Sequence, residues 1–189
     1  CIRDSSQPIL PAGNADRLAR LVEAADEFGQ LASSIDLDAQ CFVFQSRRTA
    51  RAWLQRAATE TAIHLRDAQE VTGDVSAWPD DRAAASIDET LRIMWHGALL
   101  LRGDLGAGRV PDQPITVSAE DLGLVWQVAK GADDFVVERL DSTVVPSGLS
   151  VSGRSADLIP WLWGRAPTSR LTVAGETTQV DAWNLSAHI

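Results

Sequence analysis

The sequence predicts an α+β protein, and three observations support this fold class. Strong helix formers and helical periodicity dominate residues 1–103. Gly and Pro accumulate in residues 104–114, which predicts a linker. Short strand-like runs separated by Gly and Asp turns follow in residues 115–189. We therefore predict a helical N-terminal domain, a linker and a small mixed α/β C-terminal domain.

Three helices are predicted in the N-terminal part. The first covers residues 15–33, where apolar side chains recur at helical spacing. The second covers residues 47–72, which contain no Pro and end before Gly73. The third is expected to begin at Ser86, because Glu89 stands three residues later at the spacing of a capping box. This third segment is apolar over much of its circumference, which predicts a buried helix.

The C-terminal part is predicted to contain five strands and two helices. The strands are read from the runs ITVSA, LVWQVA, FVVERL, LSVSG and LTVAG. A short helix is expected from Ser155 to its stop at Gly164, and a last helix over TTQVDAWNL.

Composition and charge exclude several classes of protein. The formal net charge of −9 and the absence of a basic patch argue against a nucleic-acid partner. The longest apolar run, GALLL, is too short to span a membrane, and no signal peptide is visible. The two cysteines, Cys1 and Cys41, are too distant for a CxxC motif, so we expect free thiols and a cytoplasmic protein.

Glu60 and His64 are the first candidate functional residues. They stand four apart on the second predicted helix and therefore share one face. A divalent metal can take a carboxylate oxygen and an imidazole nitrogen from adjacent turns of a helix. Asp67, one turn beyond His64, can orient the second ring nitrogen. The alternative is an ordinary Glu–His ion pair, and spacing alone does not decide between the two.

Two stretches of the sequence resemble the mycothiol-dependent maleylpyruvate isomerase family. The first has the form W-x-x-R-x-A-x-E-T-A-x-H-x-x-D-A and is matched by Trp53, Arg56, Ala58, Glu60, Thr61, Ala62, His64, Asp67 and Ala68. The second resembles the family's C-terminal domain and is matched by Gly153, Ser155, Asp157, Leu158, Leu162, Trp163, Gly164, Arg165 and Pro167. The resemblance extends from about residue 14 to the end.

The resemblance implies a DinB-like metal-binding helical bundle joined to a small α/β domain. It implies that Glu60 and His64 are metal ligands, that the divalent metal is zinc, and that the thiol cofactor is mycothiol or a similar small thiol. In that family, a His of the first bundle helix is a further ligand, and this sequence has no counterpart for it. We expect that an N-terminal helix is missing, since the chain begins at Cys1. Thr59 also replaces a His that many members carry.

Further residues have two interpretations each. Arg165 either complements the end of the short helix or binds an anionic group of the thiol or substrate. His96 is interpreted as a core histidine rather than a substitute ligand. Trp53 and Trp95 either pack in cores or line a pocket beside the metal.

Two functions are compatible with these residues. The first is a metal- and thiol-dependent isomerase or transferase acting on a small electrophilic substrate, in which the thiolate adds to a double bond, rotation follows, and elimination releases the other isomer. The second is a non-catalytic paralogue that serves as an interaction or regulatory module. The same scaffold can support both.

Overall fold

The structure, a computed structural model, describes residues 13–43, 46–102, 110–131, 135–141 and 148–186. The chain divides into two compact units, residues 1–39 and residues 40–189, which are described separately.

The described residues of the first unit, 13–39, form one helix, α1, over Asn14–Ser34. The helix predicted over 15–33 is therefore confirmed. Gly13 is the N-cap residue. The helix ends at Ile35, whose backbone N–H donates to the Leu31 carbonyl at 3.1 Å.

The second unit begins with a hairpin that the sequence did not predict. Strands β1 (Gln40–Val43) and β2 (Ser46–Thr49) pair antiparallel. Helix α2 (Ala50–Thr72) follows directly, so the predicted start at residue 47 is wrong by three residues. Pairing with β1 holds those residues extended, since tertiary context overrides helix propensity. The predicted end is confirmed, because Gly73 adopts a left-handed conformation with φ of 77°.

The third helical segment begins earlier than predicted. Helix α3 covers Asp80–Glu89, continues through a π-helical turn over Thr90–Met94, and leads into α4 over Trp95–Arg102. The predicted start at Ser86 is wrong, because Pro79 occupies the N-cap and two aspartates fill the first turn, where negative charge is favourable. Ser86 and the glutamate of the supposed capping box are buried instead.

The remaining elements form a five-stranded mixed sheet with two helices, as predicted. The strands are β3 (Ile115–Ala119), β4 (Leu124–Lys130), β5 (Phe135–Leu140), β6 (Leu149–Gly153) and β7 (Thr172–Ala174). Their order is β5-β4-β3-β6-β7, in which only β3 and β6 run parallel. The helices are α5 (Ser155–Leu162) and α6 (Thr177–Ser186).

One hydrophobic core joins α2, α3 and α4 to the sheet and its helices. Its members include Ile63, Ile87, Val117, Val151 and Leu158, each at most 2% exposed. Four tryptophans are also fully buried in it: Trp95, Trp126, Trp161 and Trp183. The α+β class is therefore confirmed.

The predicted domain bounds at 1–103, 104–114 and 115–189 stay a prediction. Residues 104–109 of the expected linker lie outside the described residues. Cys41 is a free thiol, as expected, while Cys1 also lies outside the described part. None of the helices in the described part of the chain is long and apolar enough to cross a membrane.

Truncation of Ile87 tests this shared core. Ile87→Ala should lower the free energy of unfolding by about 2–5 kcal/mol, because it removes buried methyl groups and leaves a cavity. Val71→Ala, at a side chain that is 88% exposed, is the matched control and should change it by less than about 0.5 kcal/mol. Denaturant unfolding measures both, and equal effects would contradict the assignment of the core.

Candidate functional site

One exposed face of α2 carries the three residues singled out by sequence. The side chains of Glu60, His64 and Asp67 are 48%, 58% and 36% exposed. The adjacent side of the helix carries Thr59 and Ile63, which are buried. Helical spacing of four and three residues therefore presents both carboxylates and the imidazole together on the outer surface.

The His64 imidazole lies between two carboxylates. Its Nδ1 is 3.1 Å from Asp67 Oδ2, and its Nε2 is 3.7 Å from Glu60 Oε1. A carboxylate only accepts hydrogen bonds, so the first contact assigns the proton of the neutral ring to Nδ1. The lone pair of Nε2 is then directed toward the Glu60 side of the ring.

Asp67 is itself held by an arginine from the turn after α5. Arg165 Nε and Nη2 lie 3.4 and 3.3 Å from the two oxygens of Asp67, and Arg165 Nη1 donates to the Trp163 carbonyl at 2.7 Å. The hydrogen bonds from Arg165, and to a lesser extent from His64, hold the pKa of Asp67 below its usual value. Asp67 thus stays ionised and able to orient the imidazole.

Glu60 has a corresponding arginine on the inner side of α2. The Arg56 guanidinium donates from Nη2 to Glu60 Oε2, which leaves Glu60 Oε1 as the oxygen that faces His64. The side chain of Arg56 is only 5% exposed. Its Nε also lies 3.6 Å from Oε1 of Glu89, whose side chain is fully buried.

Glu89 is the site residue that the sequence pattern misassigned. Burial raises its pKa to about 8, which outweighs the lowering by the Arg56 charge and by Thr59. The nearby charge of Glu60 raises this pKa further. A glutamate within an apolar helical run was the only signal of this position in the sequence.

The indole of Trp163 contacts both arginines. The guanidinium carbons of Arg56 and Arg165 lie 5.1 and 5.7 Å from the centroid of its ring, within the range of cation–π attraction. The indole Nε1–H donates to Thr90 Oγ1 at 3.1 Å. From the sequence, this tryptophan matches a motif but has no assigned role, because its contact with Arg56 joins elements that are distant in sequence.

The pair of Glu60 and His64 fits two positions of a metal site. Tetrahedral zinc with bonds of about 2.0–2.1 Å separates two ligand atoms by about 3.4 Å. The observed 3.7 Å between Glu60 Oε1 and His64 Nε2 is close to that separation. Within the described residues, no group of three or more His, Cys, Asp or Glu side chains is arranged to hold a metal. The described donors therefore fit part of such a site.

A small cavity and a wider groove are lined by described residues of this unit. The small cavity beside Asp67 and Arg165 is lined by Ile63, Trp78 and Pro160 and has a volume of about 10 Å³, enough for about one water molecule. The wider groove of about 630 Å³ is lined by Pro167, Thr168, Ser169, Leu171, Val173, Thr177, Asp181 and Asn184. None of the four predicted site residues lines the wider groove.

The other candidates are divided between core and surface. Trp95 is 1% exposed and packs edge-on against Trp161 and in a stack with Trp183, so it belongs to the core. Trp53 is 51% exposed and donates from Nε1 to the backbone carbonyl of residue 42. His96 is buried on α4, in keeping with its interpretation as a core histidine.

Comparison with models of protein families finds none that matches this chain, and comparison with curated proteins finds no match either. The resemblance stated from the two motifs therefore stays a prediction, as do the roles that it implies.

Replacement of Glu89 by Gln should change how stability depends on pH. Between pH of about 4.5 and about 8, folded Glu89 keeps its proton while the unfolded chain loses it. The free energy of unfolding therefore falls as the pH rises, by up to about 1.4 kcal/mol per pH unit from this group. Glu89→Gln should remove that component.

Denaturant titrations at several pH values measure this dependence. Glu70→Gln, at an exposed side chain on α2, is the matched control and should keep the wild-type slope. A Glu89→Gln protein with the same pH slope as the wild type would contradict the buried, protonated assignment.

Removal of the Arg165 guanidinium should raise the pKa of Asp67 toward its ordinary value. Hydrogen bonds from Arg165 are the largest cause of the low value, so Arg165→Gln removes that cause. Carbon NMR of the side-chain carboxyl across a pH titration gives this pKa. Arg66→Gln, on the same helix but paired with Glu70, should leave it unchanged. An unaltered Asp67 pKa in Arg165→Gln would disprove the assignment.

Proposed function

We propose that the protein is a metal- and thiol-dependent isomerase or transferase, of the mycothiol-dependent type, that acts on a small electrophilic substrate. The proposal includes a DinB-like helical part with a small α/β C-terminal part. Its partners would be a small thiol and the substrate in the cytoplasm, with neither nucleic acid nor a membrane involved. The observation that supports it is the position of the His64 ring between two carboxylates. Asp67 accepts from Nδ1, and Nε2 faces Glu60.

Each of the three residues has a distinct role in this proposal. Glu60 and His64 hold the divalent metal, most simply zinc, through Oε1 and Nε2. Asp67 accepts the Nδ1 proton and so keeps the ring in the tautomer that binds metal. A bound zinc ion supplies a Lewis acid that keeps a coordinated thiol in its reactive thiolate form.

Arg165 provides the positive charge for an anionic group of the thiol or the substrate. Its side chain is 37% exposed and is already adjacent to the site through Asp67. The contacts to Asp67, at 3.3 and 3.4 Å, are longer than the usual range for a charged pair. A ligand carboxylate can therefore compete for the exposed edge of this guanidinium, whose planar fork suits such a group.

A second candidate function is an interaction or regulatory module without catalysis. The contact that favours it is the hydrogen bond from Arg56 to Glu60, since a guanidinium already compensates the charge of the proposed ligand. In that case, Glu60 and His64 form a structural pair, and the exposed face of α2 contacts a protein partner.

Zinc content separates the two functions. The purified chain, equilibrated with zinc and passed through a desalting column, should retain about one zinc per chain by mass spectrometry. Glu60→Gln and His64→Ala should each lose it, because each removes one ligand. Glu70→Gln, one of the exposed glutamates of α2, should retain it.

Two results would contradict the proposal. Retention of zinc in both ligand variants would place the metal elsewhere. Absence of zinc from the wild-type chain would favour the interaction module, and a search for a protein partner of α2 would then replace assays with thiols.

A further inference from the structure

The two carboxylates beside His64 are held by two arginines that share one contact. Arg56 donates to Glu60, and Arg165 pairs with Asp67. The guanidinium carbons of both arginines lie within 6 Å of the centroid of the Trp163 ring, at 5.1 and 5.7 Å. The indole of Trp163 is therefore linked, through one arginine and one carboxylate on each side, to both ring nitrogens of His64.

Trp163 is well placed for such a role because it is itself held on two sides. Its side chain is 7% exposed, and its Nε1–H donates to Thr90 Oγ1 at 3.1 Å. The Thr90 hydroxyl in turn donates to the Ser86 carbonyl at 2.8 Å. The Trp163 carbonyl also accepts a hydrogen bond from Arg165 Nη1 at 2.7 Å. The ring is thus anchored to α3 and the π-helical turn.

Exposed carboxylates on a helix surface do not keep one orientation unless the arginines that pair with them are themselves held in place. Ion pairs between exposed side chains are weak, since holding two long side chains in one geometry costs conformational entropy. Contact of a guanidinium with an aromatic face limits that freedom, because the planar group is then held by attraction to the ring. The ring of Trp163 therefore restricts the side-chain conformations of both Arg56 and Arg165.

We propose that Trp163 is the positioning residue of this site, which holds Arg56 and Arg165 so that Glu60 and Asp67 orient the His64 imidazole. The expected effect of Trp163 on metal affinity rests on the proposed function above. The expected effect of Trp163 on the tautomer of His64 does not. In the wild type, Asp67 accepts the Nδ1 proton and Nε2 remains available. Loss of the Trp163 ring removes the cation–π contact of both arginines, although Arg165 keeps its bond to the residue-163 carbonyl. The two arginines are then less restricted, and the ring of His64 shifts toward a mixture of tautomers.

Nitrogen NMR of the imidazole at alkaline pH measures the tautomer ratio of His64 directly. The wild type should favour the Nδ1–H form. Trp163→Leu should lower the ratio of Nδ1–H to Nε2–H by about fivefold, the effect of losing about one hydrogen bond. Zinc titration of the same samples should show at least about a tenfold loss of affinity, as expected when the support of a ligand is removed.

Trp161→Leu is the matched control, since Trp161 lies on α5 two residues before Trp163 and is fully buried. Its indole Nε1–H donates to Thr168 Oγ1 at 3.0 Å, and its ring packs edge-on against Trp95. It should lower stability without changing the tautomer ratio. Trp163→Phe keeps an aromatic face but loses the N–H, and it should retain the wild-type ratio. This variant also tests the proposal if Trp163→Leu does not fold.

Three outcomes would overturn the proposal. The first is an unchanged tautomer ratio in folded Trp163→Leu. The second is a change of the tautomer ratio in Trp161→Leu equal to that in Trp163→Leu. The third is a change of the tautomer ratio in Trp163→Phe as large as that expected for Trp163→Leu. The proposal and the proposed function fail separately. A tautomer ratio that responds to Trp163 in a chain that binds no zinc would support positioning by Trp163 and reject the metal.

Discussion

The buried guanidinium of Arg56 is the interaction on which the arrangement around His64 depends. It donates to Glu60 at the surface of α2, lies 3.6 Å from Glu89 in the interior, and rests against the ring of Trp163. A buried charge is tolerated only where several groups compensate it. Because these groups come from α2, α3 and the end of α5, compensation of one charge also fixes how these helices pack and which oxygen of Glu60 faces the imidazole.

The carboxyl groups of Asp67 and Glu89 differ in protonation because their surroundings differ. Asp67 is held ionised by an arginine and a histidine at the surface, which suits an acceptor for the ring proton. Glu89, on the inner side of Arg56, holds its proton to a pH of about 8 because burial disfavours its charged form. At neutral pH, Glu89 is therefore largely uncharged, and Glu60 is the charged carboxylate that pairs with Arg56. The site combines an inner, largely neutral carboxyl group with outer charged ones, and perturbed groups of this kind are common at functional sites.

The sequence predicted most of the fold because local patterns were strong there. Alternation and turn residues identified the strands of the sheet, and helical spacing identified Glu60, His64 and Asp67 as one group. The hairpin over 40–49 was missed because its second strand, SRRT, has no apolar alternation. Glu89 was misread as a capping residue, and Trp163 received no role. Both act through contacts between helices that are distant in sequence, and one sequence carries no local signal of such contacts.

We propose one metal ion, held through Glu60 and His64. X-ray absorption spectroscopy of the zinc-loaded chain tests this most directly, because it reports the ligand atoms themselves. The account predicts imidazole scattering with a Zn–N distance of about 2.0–2.1 Å in a four-coordinate site. It also predicts that this imidazole signal disappears in His64→Ala. A six-coordinate oxygen environment without imidazole, or an imidazole signal that persists in His64→Ala, would contradict the account.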